Sequence, residues 1–144
     1  MNWIRETEND LRGLKKRQLA IINIKKQINI LLKEFTTLKC AGPEAPVKGG
    51  MSRQEDAMLN NIVKRDRLSA TLEIVTELVA LVENALKTLS SEDQMILTMF
   101  YIDRKPTYIE DLCEKFSIER SQVYRKKDEA IKRLTMTLYG LSEM

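Results

Sequence analysis

Histidine is absent from this chain of 144 residues, and its only two cysteines, Cys40 and Cys113, stand far apart in the sequence. The commonest general base and metal ligand is therefore missing, and two isolated thiols cannot build a zinc site. Neither a Gly-rich phosphate loop nor a Ser-His-Asp set is present. These absences point away from an enzyme and away from any cofactor or metal. Apolar runs are short, so no membrane span is expected, and Met1-Asn2-Trp3-Ile4-Arg5-Glu6 does not open an apolar leader. Two unpaired thiols without a leader fit a reducing, cytoplasmic setting. Glycine (5), proline (3) and aromatic residues (6%) are all scarce, whereas 43% of the residues are hydrophobic and 31% charged. That balance argues against disorder. Leu, Ile, Lys, Glu and Met abound and no stretch reads as a β-branched strand, so the expected fold is all-α.

The net charge of +3 is small, but its distribution is uneven. Residues 1–40 carry nine Lys/Arg against four Asp/Glu (+5), and residues 120–134 carry six against two (+4). Residues 51–90 carry five against six (−1). Basic ends flanking a near-neutral middle are candidate surfaces for a polyanion.

Apolar residues at Leu14, Ile21, Ile28 and Phe35, and at Ile24, Leu31 and Leu38, define one face of a helix over about 3–38, which Leu11 and Leu32 widen. Residues 40–50 hold three glycines and two prolines and must form a loop. Ser52 with Glu55 makes a capping-box pattern. A second helix follows over about 53–89, with Met58, Ile62, Leu68, Leu72, Val75, Val79, Val82, Leu86 and Leu89 as its stripe. From Leu68 onward the spacing is heptad-like. Two helices of matched length around a short loop predict a long antiparallel hairpin over 1–89, with apolar surface left over for self-association into a homo-oligomer or for a partner.

Beyond Leu89 the periodicity shortens. Ser91 with Gln94 offers a second capping box, opening a helix to about Ile102 whose apolar face is Met95, Ile96, Met99 and Phe100. Pro106 ends that stretch, Thr107 is the expected cap of a helix over 108–116, and Ser117-Ile118-Glu119 form a turn before a last helix from Arg120 to about Tyr139. Such elements make a three-helix helix-turn-helix domain over 90–144. Ile109, Leu112, Cys113, Phe116, Ile118, Val123, Ala130, Ile131 and Leu134 are its candidate core, and Cys113 is read as a buried structural thiol. Arg120, Ser121, Gln122, Arg125 and Lys126 remain outward, with Tyr124, Lys127, Lys132 and Arg133 beside them. Arg forks onto guanine and Gln onto adenine in a major groove, while the other cations neutralise phosphates.

The run Leu89-Ser90-Ser91-Glu92-Asp93-Gln94-Met95-Ile96-Leu97, then Tyr101-Ile102, Asp111-Leu112-Cys113, Phe116-Ser117-Ile118 and Val123-Tyr124-Arg125, resembles region 4 of bacterial sigma factors. Together with the long helical amino-terminal part, the chain resembles phage or prophage transcriptional regulators of the ArpU/RinA-like kind. The resemblance implies a double-stranded DNA-binding regulator that reads the major groove from near Arg120, with RNA polymerase as a further partner. Two positions depart from the pattern. Ser117 stands where Gly is usual, which is costly if the residue is left-handed. Glu119 stands where Ser is usual, suiting the helix dipole but opposing a nearby phosphate. A phage packaging or assembly subunit, and a polymerase-binding module that does not touch DNA, are the rival readings.

Overall fold

The computed structural model describes residues 1–41 and 52–140. The loop expected at 40–50 lies, apart from Cys40 and Ala41, outside the described residues. The regular elements are α1 (Trp3–Cys40), α2 (Arg53–Lys87), α3 (Ser91–Leu97) running into a π-helical turn (Thr98–Ile102), α4 (Tyr108–Phe116) and α5 (Arg120–Tyr139). No strand occurs among the described residues, so the fold is all-α.

Local chemistry explains the boundaries. Ser52 caps α2 as expected, its Oγ accepting from the Glu55 amide at 3.1 Å. The cap of α3 lies one residue earlier than expected. Ser90, extended at φ −63° and ψ 157°, accepts from the Asp93 amide, and Ser91 is already helical. Gln94 completes no capping box; its Nε2 donates to the Leu89 carbonyl at 2.9 Å. Nor does an α-helix continue to Ile102. The Asp103 amide donates to the Thr98 carbonyl at 2.8 Å, five residues back, so the last turn is widened. Phe100 is buried there, and the neighbouring Tyr101 donates to Glu8 Oε2 at 2.8 Å.

Compactness divides the chain into residues 18–77 and a second unit made of 1–17 with 78–140, which is a different division from the expected one at residues 89 and 90. In the 18–77 unit, numbers fall along α1 as they rise along α2. Gln54 Nε2 donates to the Leu38 carbonyl at 2.6 Å and Asn61 Nδ2 to the Leu31 carbonyl at 2.8 Å. Two residues of the expected stripes face outward, Leu32 and Ile62. The buried place is taken by Asn61, whose Oδ1 also accepts from Arg65 Nε at 2.8 Å, and the Arg65 guanidinium covers the Phe35 ring at 4.9 Å. Met58, Asn61, Arg65, Leu68, Leu72, Val75, Val79 and Val82 keep one unbroken three-four spacing. The inward row therefore runs straight through two polar side chains, which burial tolerates because each has a partner. Meanwhile Ile30 and Ile74 are 62% and 59% exposed.

The other unit has a denser core. Leu11, Leu97, Leu112 and Leu134 are fully buried, with Leu14, Ile96, Val123 and Ile131 nearly so. The first turns of α1 are part of it. Trp3 lies against Tyr139 at 4.9 Å, Thr135 Oγ1 sits 2.9 Å from Thr7 Oγ1 in a buried pair, and the Arg12 guanidinium lies 5.3 Å from the Tyr101 ring. The Tyr139 hydroxyl donates to Asp10.

Two measurements test this assembly. Leu11→Ala removes a wholly buried side chain and should cost about 2–5 kcal/mol, read as an earlier chemical-denaturation transition of the unit that contains α3, α4 and α5. A loss well below 1 kcal/mol would mean that the start of α1 is not part of that core. The Tyr139 hydroxyl is pushed up to about 12 by burial and, secondly, by its bond to Asp10. Its unfolded value lies near 10, so the stability of the neutral hydroxyl is complete below that pH and disappears as the pH rises towards about 12. Thermal melts of Tyr139→Phe should show a shallower alkaline fall than the parent.

Candidate nucleic-acid interface

The surface in question is built on the segment from α4 to α5. α4 ends because Ser117 turns left-handed, at φ 53° and ψ 47°, which lets the Ser117 and Ile118 amides reach back to the Cys113 carbonyl. Ser117 is the only non-glycine residue with positive φ among those described, and a side chain there is strained. The chain then extends at Glu119, whose carbonyl accepts from the Gln122 and Val123 amides at 3.0 and 3.1 Å and so starts α5. At neither N-cap, Thr107 of α4 or Glu119 of α5, does the side chain bond the backbone of its helix. Thr107 instead donates to Asp111 Oδ2 at 3.0 Å.

α5 is held along one side by Val123, Ala130, Ile131, Leu134 and Thr135, all buried. Val123 joins Ile96, Phe100, Ile109 and Leu112 in one cluster, against which Cys113, Phe116 and Ile118 pack. Cys113 is thus half-buried against the core, as a small residue between two helices should be. Phe100 takes Tyr108 edge-on at 5.1 Å and Tyr124 at 5.9 Å.

The eight residues expected on the outer side fall into three groups. Ser121, Gln122, Arg125 and Lys132 are exposed, and Ser121, Arg125 and Lys132 share one face through spacings of four and seven. No acidic side chain lies within ion-pair reach of Arg125 or Lys132 among the described residues. Arg120 and Tyr124 sit to one flank, where the neighbouring Tyr124 hydroxyl favours the charged guanidinium still further. Tyr124 is 38% exposed because part of its ring rests on Phe100.

Lys126 and Arg133 lie on the opposite flank and meet α3. Lys126 Nζ contacts Glu92 Oε1 at 2.7 Å, which raises its affinity for its proton. Arg133 grips Asp93 with Nε at 2.8 Å and Nη2 at 3.1 Å, and this bond holds its charge. Asp93 is 7% exposed, so its carboxylate depends on that fork. Lys127 alone of these is turned inward, pairing with Asp128 at 2.7 Å and lying 5.7 Å from the Phe100 ring. Helix periodicity puts these cations on the outer part of α5 but carries no information on the acids they meet. Glu92 and Asp93 lie 34 and 40 residues away in the chain, beyond the reach of local spacing. The one local signal was the pair of acids in the first turn of α3, which doubles as dipole complement.

These features define an all-α protein in which α5 presents polar and basic side chains from a core-anchored base, and no described helix is long and apolar enough to cross a membrane. The chain belongs to the family described as Protein of unknown function (DUF1492), which matches residues 41–135 and so takes in α2, α3, α4 and most of α5. No curated protein and no solved structure matches it.

The Asp93–Arg133 fork separates a folding role from a binding role. Arg133→Ala should lower stability by roughly 1–3 kcal/mol, because it strands a nearly buried carboxylate, whereas Lys132→Ala, one residue away, should leave the denaturation midpoint almost unchanged. Equal midpoints for the two variants would remove Arg133 from the framework of the unit.

Proposed function

We propose that this chain is a sequence-specific duplex-DNA-binding transcription regulator of phage or prophage genes. In this reading α4, the turn 117–119 and α5 form a helix-turn-helix, and α5 lies in the major groove. The observation that carries it is the division of α5 into a buried side and an outer side on which Ser121, Gln122, Arg125 and Lys132 stand exposed, with neither cation held by an acid among the described residues. Arg and Gln are the side chains that fork onto guanine and adenine edges, and Lys132, further along, suits a phosphate. The likeness of residues 89–135 to sigma region 4 supports the same docking, with base contacts from the first turns of the helix.

The long helices have a separate part in the proposal. The antiparallel contacts of Gln54 with Leu38 and of Asn61 with Leu31 support a hairpin of α1 and α2, and side chains such as Ile30 and Ile74 give it exposed apolar surface. A second copy of the chain is the occupant this reading assigns, giving the two reading helices that a two-fold operator needs. RNA polymerase is the further partner that the sigma likeness implies.

Selection of bound sequences from a random duplex library tests the function directly, and an enriched motif is the expected outcome. On that motif Gln122→Ala or Arg125→Ala should cost about 1–3 kcal/mol and relax discrimination at one base position. Lys132→Ala should weaken every duplex alike and flatten the salt dependence by about one unit of slope. A flat selection together with retained binding to polymerase would replace this reading with the module that never touches DNA.

A further inference from the structure

A line of contacts leads away from α5 across the same unit. Arg120 lies beside Tyr124, whose ring meets Phe100, and the buried Phe100 ring also meets Tyr108. The Arg104 guanidinium lies 4.4 Å from the centre of the Tyr108 ring and donates to its hydroxyl. Next to Arg104 stand the exposed Lys105 and Asp103, and Asp103 accepts from Lys15 of α1 at 2.5 Å. Lys15, Met99, Ile102 and residues 103–105 together line a shallow groove.

We propose that this strip of cations, Arg104, Lys105 and Lys15, is a second contact for the sugar-phosphate backbone of duplex DNA, on the 103–105 segment and the start of α1. The inference rests on the reading of α5 as a duplex-binding helix and adds a surface that reading does not contain. Its chemistry favours phosphate over bases. Tyr108 is occupied by Arg104 and Phe100, and Tyr124 rests on Phe100, so these rings act as supports rather than as platforms on which unpaired bases stack. Arg104 is ordered by its tyrosine before any ligand arrives, and such preorganisation lowers the cost of binding. Asp103 is the one acid in the groove. It neutralises Lys15 in an exposed pair, with side chains 61% and 54% accessible, which a phosphate can displace at little cost. Asp103 thus acts as a brake on this part of the surface.

Binding of the full-length chain to its selected duplex, followed by anisotropy over a range of salt, tests the strip. The double variant Arg104→Ala, Lys105→Ala should bind every duplex about tenfold or more weakly, and lower the slope of log K against log salt by about 0.9 for each lost contact. Its base preference should be unchanged. Asp103→Asn should bind several-fold more tightly with the same preference. Because Arg104 also packs on Tyr108, circular dichroism must show the double variant folded; Lys15→Gln with Lys105→Gln, both at exposed positions, gives the same test without touching that contact. Unchanged affinity and slope in folded variants, while Arg125→Ala still loses its site, would overturn the strip and leave the reading of α5 standing. A parent that binds no duplex overturns both. A loss seen on single strands but not on duplex would assign the surface to unpaired nucleic acid and refute a duplex backbone contact.

Discussion

Phe100 reaches the core because the helix that carries it widens at Thr98, and much of the arrangement around α5 follows from that placement. A regular turn would rotate residues 99–102 by a large part of a residue step and send a different side chain inward. With the wider turn, one aromatic ring touches Tyr108 at the start of α4, Tyr124 in the first turns of α5, and the ammonium of Lys127. Edge-on ring contacts are directional, each adding about 0.5–1.5 kcal/mol beyond area, so they orient the two helices as well as holding them. The same widening turns Tyr101 towards Glu8 and Arg12, which ties the start of α1 to the unit.

Charge is divided by position along α5 rather than by residue type. Arg133 and Lys126 are committed to Asp93 and Glu92 on α3, whereas Arg125 and Lys132, of the same chemistry, point outward. The two groups differ in what a mutation would cost. The Arg133–Asp93 pair contributes to folding because Asp93 is shielded from water. An outward cation has little to lose in water and gains only when a polyanion displaces its counterions. The family match begins at residue 41, yet residues 1–17 complete the core of the unit in which α5 sits, through Leu11, Leu14 and the Thr7–Thr135 pair. The family segment and the folded unit are therefore not the same stretch of chain.

The amino-acid order by itself determined the helical class, the number and approximate limits of the long elements, the Ser52 cap and the burial of Val123, Ala130, Ile131 and Leu134. All of these depend on neighbours within one or two turns, where spacing and backbone chemistry decide the outcome. It also singled out Ser117, where the backbone is indeed left-handed although the residue is not glycine. Tertiary structure alone decided the rest. Asn61 displaces Ile62 from the inward row because a carbonyl of another helix satisfies its amide; Ser90 displaces Ser91 as cap; Arg133 and Lys126 find acids in distant segments; and the first seventeen residues join the opposite end of the chain. In each case the deciding partner is remote in sequence or the choice turns on a single residue of register. A period of 3.6 tells which face a residue occupies. It carries no information on what that face will meet.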